Sequence, residues 1–238
     1  MSITGYILIA DISGYKEFIR LHNLKKTSVI GKFMASQYES HESKIIADLL
    51  EKVIGSIKPV MNLNKLIGNS ALFYCEENKN KNQSDEIINI MHKANKTFKE
   101  KKSELVFVQA CGCEPCTQSK NLKLKILAHK GVFKINKIRN FEEISGEDVI
   151  LTHRMLKNDI KSNEYWLVTE NFYSSLNKIN KDIFAKITLN LKGFDKIKLN
   201  LIKFNSIEPR NSSIEKRSWL HNWFIQAIYF GSAMFNKN

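Results

Sequence analysis

Arginine is scarce in this sequence: of 37 basic residues, 32 are Lys and 5 are Arg. The chain carries a formal net charge of +13 and a pI near 9.5, which ordinarily points to nucleic acid or an anionic membrane. Arg, however, is the residue that recognises phosphates and base edges bidentately. Lys, Asn and Ile are all abundant, as an AT-rich genome produces. The charge therefore reflects a Lys-rich composition, and specific nucleic-acid binding is not expected.

Other absences narrow the field further. Cysteine is limited to Cys75, Cys111, Cys113 and Cys116, too few and too clustered for a secreted disulfide framework. No stretch reaches the roughly 20 predominantly apolar residues that span a bilayer. The segment Met1–Gly5 lacks a basic region followed by an apolar one, so no secretory signal is read and the cytoplasm is the expected compartment. No Gly/Ser/Pro linker interrupts the chain before residue 205. With 238 residues, 43% of them hydrophobic, the chain is long enough to bury a core, and disorder is excluded.

What is present reads as alternating strands and helices. Gly5–Ile12 is a short apolar run closed by Ser13-Gly14, a buried strand that delivers Asp11 to its end. A short helix over Tyr15–Leu21 and a long one from Thr27 to Ile57 follow, the second ending before Pro59. Lys65–Cys75 is predicted to be a hairpin turning at Gly68-Asn69. Asp85–Lys102 is predicted to be a helix and Leu105–Ala110 a strand. A second hairpin, Leu122–His129 and Val132–Ile138, is expected around Lys130-Gly131. A helix over Gly146–Asn158, a strand at Tyr165–Thr169, a helix over Glu170–Ile179 and strands at Phe184–Leu191 and Lys196–Phe204 complete the order. The pattern is α+β, with a mainly antiparallel sheet and helices packed on it.

Four segments carry a resemblance. Ile9-Ala-Asp11-Ile12-Ser-Gly-Tyr15, Lys65-Leu-Ile-Gly-Asn69, Gly146-Glu-Asp-Val-Ile150-Leu-Thr-His-Arg154 and Leu191-Lys-Gly-Phe194 occur in that order. The set resembles the motifs of class III nucleotidyl cyclases over residues 4 to 204. The Cys-x-Cys-x-x-Cys segment resembles an uncharacterised bacterial branch of cyclase-like proteins. The resemblance implies a ferredoxin-like cyclase homology domain over residues 1–204, followed by a polar linker and an aromatic-rich helical tail over 205–238.

The family's reaction is attack of a ribose 3′-oxygen on the α-phosphate, assisted by two metal ions held by two carboxylates. The resemblance places Asp11 and the Ile12 backbone carbonyl at the metal positions and Asn69 where the second carboxylate belongs. Lys65 and Glu143 stand at the base-reading positions, Glu143 being an unusual residue there for the family, and Arg154 at the position that stabilises phosphate charge. Ile150 stands where an Asn orients the ribose. An amide in place of a carboxylate gives up a full negative charge, and hard cations prefer carboxylate oxygens. Isoleucine has no hydrogen-bonding atom in its side chain. The expectation is a degenerate cyclase homology domain, a nucleotide-binding or dimeric regulatory module. The alternatives are an active cyclase making a cyclic nucleotide from ATP or GTP with Mg²⁺ or Mn²⁺, and an interaction scaffold that binds no nucleotide. The resemblance also implies a nucleoside triphosphate partner and a head-to-tail homodimer.

Three further features stand apart. Cys111, Cys113 and Cys116, with Cys75 or His129 as a fourth ligand, suit a zinc ion; a thiol redox pair and unliganded reduced thiols are the other readings. Between Glu114 and Glu142 there is no acid but seven basic residues, with Lys123 and Lys125 on one face of a strand. That face is either solvated or a surface for a polyphosphate or acidic partner. Ser218–Phe235 has no charged residue but two Trp and several other aromatics, which suits self-packing, a dimer contact or a membrane-surface anchor.

Overall fold

The computed structural model describes residues 2–14, 29–108 and 119–204. The predicted helix over Tyr15–Leu21, the cysteine cluster and the tail beyond Phe204 lie outside the described residues. Among the described residues no helix is long and apolar enough to cross a membrane.

The elements run β1 (Ser2–Ser13), α1 (Val29–Ile57), β2 (Asn62–Ile67), β3 (Ser70–Glu76), α2 (Gln83–Val108), β4 (Lys123–Ile138), β5 (Phe141–Ser145), α3 (Glu147–Met155), β6 (Tyr165–Thr169), α4 (Glu170–Ser174), α5 (Lys178–Lys181), β7 (Ala185–Asn190) and β8 (Lys196–Lys203). The strands form one sheet in the order β2-β3-β1-β4-β6-β8-β7, with β5 added to β4. Every pair is antiparallel except β4 with β6. This is the expected α+β architecture.

The sheet has two covered faces, which explains why β1 reads as an unbroken apolar run rather than an alternating one. Tyr6, Leu8, Ala10 and Ile12 point to the helical face, where Ile45, Leu49, Val53 and Ile57 of α1 and Ile88, Met91, Ala94 and Phe98 of α2 cover them. Ile7 and Ile9 point the other way, into a second core with Phe133, Ile144, Val149 and Met155 from β4, β5 and α3. Asp11 continues the alternation of Ile7 and Ile9 and so stands on this second face.

Three predicted elements differ from the fold. Leu105–Val108 continues α2 rather than starting a strand. Leu105 is buried with Phe98 in the helical-face core, so packing overrides the β-propensity of Leu-Val-Phe-Val. The expected hairpin around Lys130-Gly131 is instead one continuous 16-residue strand. Gly131 lies opposite Gly5 in the middle of the β1–β4 ladder, and the turn falls later, at Arg139-Asn140, where Arg139 adopts φ 54°. The expected helix over Glu170–Ile179 is two short ones, α4 and α5. The Asn177 side chain caps the second by accepting from the Asn180 amide.

Candidate functional site

The β2–β3 hairpin turns at Gly68-Asn69, with Gly68 at φ 60°, a conformation that glycine adopts without steric cost. Antiparallel pairing of β1 with β3 sets Asp11 opposite Ser70, so the turn residue Asn69 reaches the end of β1. There the Asn69 Nδ2 amide donates to Asp11 Oδ1 at 3.1 Å and to the Ile12 carbonyl at 2.5 Å. Ser70 Oγ donates to the same carboxylate oxygen at 2.5 Å. The Ile12 amide donates to the Asn69 carbonyl at 3.1 Å, locking the turn to the strand.

On the other side of Asp11, β4 brings Lys125 directly opposite in register. Its Nζ lies 5.2 Å from the centre of the Tyr165 ring, whose hydroxyl accepts from Asn158 Nδ2 at 2.7 Å. Burial raises the Asp11 pKa above the usual carboxylate value; the Ser70 hydroxyl, the Lys125 charge and the Asn69 amide oppose that rise. Burial also raises the Tyr165 pKa, with the Asn158 hydrogen bond opposing and the Asp11 charge adding to it.

A second group forms where β5, paired to β4, comes into contact with β2. Lys65 Nζ makes an ion pair with Glu143, and the Tyr74 hydroxyl donates to Glu142. Asn64 Nδ2 donates to the Glu142 carbonyl at 2.8 Å. Lys65 and Glu143, far apart in sequence, are thus brought together. His153 on α3 feels both charges: burial lowers its pKa first, Lys65 lowers it further, and Glu143 opposes. Arg154 follows on the same helix and is half-buried. Its guanidinium has no hydrogen bond or ion pair with Asp11, Asn69, Lys65 or Glu143 among the described residues. Ile150 lies one turn earlier and is 53% exposed.

The start of α3 is fixed from beneath. Asp148 Oδ2 accepts the Val132 amide at 2.6 Å, and its Oδ1 lies 3.1 Å from His129 Nε2. His129 Nδ1 contacts Thr169 Oγ1 at 2.9 Å. Burial lowers the His129 pKa, and Asp148 opposes it. A histidine whose folded pKa lies below its unfolded value charges first in the unfolded chain. Its contribution is therefore intact above about pH 6.5 and is lost as pH falls below that value. Urea denaturation at about pH 7.5 and about pH 5.5 should show lower stability at the acid end. His129→Gln should reduce the difference, leaving the part contributed by His92 and His153, whose pKa values burial also lowers; an unchanged difference would remove His129 as a source.

Cys75 is buried on β3, and its thiol is pushed up to about 12, by burial first and by the nearby Glu86 charge second. Its sulfur accepts from Gln83 Nε2 at 3.3 Å. Cys111, Cys113 and Cys116 lie outside the described residues. His129, the other expected fourth ligand, is 2% exposed beneath α3. Of the basic stretch, Lys123 and Lys125 do share the Asp11 side of β4. Lys130 points to the other face, 2.6 Å from Glu77 and over the Tyr6 ring.

Residues 46–165 match a family model described as "Protein of unknown function (DUF2652)". The chain belongs to the DUF2652 family. The family's model thus takes in the Asn69 turn, the Lys65–Glu143 pair and α3. The chain is 31% identical over 148 residues to the "Uncharacterized protein Rv2561/Rv2562" of Mycobacterium tuberculosis (strain ATCC 25618 / H37Rv), a match that covers 62% of this chain and 68% of that protein. Among solved structures, this DUF2652 chain resembles the adenylyl cyclase CyaB from P. aeruginosa, with TM-score 0.60 and 12% identity, over 87% of this chain and 97% of that one. It also resembles the guanylate cyclase domain of RhGC from Catenaria anguillulae, solved in complex with GTP, with TM-score 0.54 and 13% identity, over 85% and 98% of the two chains. At these identities the likeness is one of fold. The DUF2652 domain here has the fold of a class III cyclase homology domain.

The cyclase fold implies a two-metal centre at Asp11, and the residues present do not suit one. Asp11 is the one carboxylate of that cluster, and both N–H groups of the Asn69 amide are directed at the two oxygens that would ligate. Among the described residues, no group of three or more His, Cys, Asp or Glu side chains comes together in a way that could hold a metal. Sequence reasoning missed Ser70, Lys125, Tyr165, Asn158 and His153. Ser70 was adjacent to a motif residue, and Lys125 had been set on the correct strand face. The gathering of Ser70, Lys125, Tyr165 and Asn158 around Asp11, and of His153 beside Lys65 and Glu143, depends on register, which no local pattern reveals.

Proposed function

We propose that this chain is a catalytically degenerate cyclase homology domain that binds a nucleoside triphosphate and serves as a dimeric regulatory module. The Asn69 amide spanning Asp11 Oδ1 and the Ile12 carbonyl carries this reading. It puts a neutral donor where the reaction needs a cation held between anionic oxygens. Ile150, exposed on α3, brings no polar atom to the position that would hold a ribose. Loss of one positioned polar group costs on the order of 10²–10³ in rate, and two such losses reduce turnover further.

Retention of Lys65 at one base-reading position supports nucleotide binding, although Glu143 at the other departs from the family's usual choice. Lys65 and Glu143 meet as a donor beside an acceptor, which is the chemistry that reads a base edge. The structural relative from Catenaria anguillulae was solved with GTP, and the shared fold supports a related ligand here. Arg154, separate from Asp11 within one chain, is consistent with a site completed across two protomers.

The second reading, an active cyclase, is favoured by the presence of Asp11, Lys65 and Arg154. The two are separated by incubating the purified protein with ATP or GTP and Mn²⁺ and searching for cyclic product by mass spectrometry. No cyclic product is expected. Product that disappears in Asp11→Ala would overturn the degenerate reading. Thermal-shift titration with the same nucleotides should raise the melting temperature. No shift at millimolar nucleotide would favour the interaction scaffold instead.

A further inference from the structure

The mismatch with a metal centre has a physical content of its own. An sp² amide has two N–H bonds and one carbonyl oxygen. If the Asn69 side chain were flipped, its oxygen would face the Asp11 carboxylate and the Ile12 carbonyl, three acceptors with no proton among them. The donor orientation is therefore imposed by the two oxygens, and the amide spends both hydrogens on them. Ser70 Oγ adds a third donor, on Asp11 Oδ1. Lys125, opposite Asp11 across the β1–β4 ladder, adds a fixed positive charge on the same face. A divalent cation entering here must break two hydrogen bonds, displace a side chain and approach an ammonium group. In return it gains one carboxylate.

We infer that Asn69 and Lys125 together form an internal substitute for a metal ion, so that the Asp11 site is closed to divalent cations and a nucleotide is taken up in metal-free form. The amide supplies hydrogen bonds in the directions that a cation would supply coordination. The lysine supplies a positive charge that does not dissociate. Lys123, on the same face and opposite Ser13, extends that positive surface along the strand end. The ligand of such a site is an uncomplexed nucleoside polyphosphate rather than its Mg²⁺ salt. The nucleotide part of the inference rests on the proposed function above; the closure to metal stands on Asn69 and Lys125 alone.

The test has two arms. In the first, Mn²⁺ binding to the nucleotide-free protein is followed by electron paramagnetic resonance. Wild type should bind no Mn²⁺ that is lost in Asp11→Ala. Asn69→Asp, which restores the second carboxylate without changing side-chain size, should gain such a site with at least about tenfold higher affinity. If Asn69→Asp does not fold, Lys125→Met provides the second variant, and it should raise Mn²⁺ affinity in the same direction by removing the competing charge. In the second arm, ATP and GTP are titrated by calorimetry in EDTA and in excess Mg²⁺. Wild type should bind at least about tenfold more tightly in EDTA than in excess Mg²⁺, because Mg²⁺ ties up most of the free nucleotide; equal affinities would overturn the metal-free part of the inference. Asp11-dependent Mn²⁺ binding by wild type, or nucleotide binding that requires Mg²⁺, would overturn the inference. Folded variants that gain no Mn²⁺ would also overturn it, since the exclusion would not belong to these residues. No nucleotide binding in either buffer, with the Mn²⁺ results as expected, would sink the nucleotide reading and uphold the closure.

Discussion

Replacing Gly131 with Ala should destabilise the domain by roughly 3 kcal/mol, combining the cost of overpacking with a weakened hydrogen bond to a charged group. An added Cβ would sit 2.2 Å from His129 Nε2 and 2.3 Å from Asp148 Oδ2. Neither neighbour can easily retreat. His129 is 2% exposed and held at Thr169, and Asp148 accepts the Val132 amide. The clash must push α3 away from β4, and α3 carries Ile150, His153 and Arg154. For a chain of this size the expected fall in melting temperature is about 6–12 °C. Thermal unfolding followed by circular dichroism measures it. His129→Ala with Gly131→Ala should cost less than the sum of the two single changes, because the imidazole being struck is then absent. Wild-type stability in Gly131→Ala would show that the packing beneath α3 is looser than the distances indicate.

Trp166→Ala should cost about 3–5 kcal/mol, the range for truncating a large buried aromatic. Trp166 is fully buried near the start of β6, with the His92 ring 4.6 Å and the Phe204 ring 5.1 Å away, both edge-on. It joins the sheet to α2 and to the residue that follows β8. Its Nε1 is buried without a hydrogen-bond partner among the described residues. Trp166→Phe sacrifices no hydrogen bond within the described residues and removes less volume, so it should cost clearly less than Trp166→Ala. The contrast is the measurement: equal losses from urea denaturation of the two variants would show that the part of the indole that Phe lacks, not the shared aromatic bulk, stabilises this position.

Much of this structure was legible beforehand. The unbroken apolar run of β1 announced a strand covered on both faces, and the Gly68-Asn69 pair announced a hairpin. The helical stripe from Ile45 to Ile57 had the correct period and the correct end. The errors came where local signals compete with packing. Lys130-Gly131 has the composition of a turn, yet Gly131 is required in mid-strand because two side chains occupy the space a Cβ would take. The Leu-Val-Phe-Val segment has strand propensity, yet Leu105 is held in the core by a helix that started about six turns earlier, at Gln83. The strand β5 went unread because Phe141 is 77% exposed and its neighbours are acidic, which mimics a loop.

The unusual charge of the chain also has a more specific meaning than its sum. Lys130 neutralises Glu77, Lys65 pairs with Glu143, and Lys99 reaches the buried Glu164 at 2.6 Å. Lys125 lies across from Asp11, the one acidic side chain at the end of β1. Residue identity sets which chemical groups are available: a carboxylate at position 11, an amide at 69, an aliphatic side chain at 150. Those identities are local, and no folding can change them. It takes the paired strands to direct the amide's hydrogens at the two oxygens and to set Lys125 across the ladder from Asp11. Strand pairing joins residues distant in the chain, and its register is set by the burial of whole faces rather than by the residues that meet.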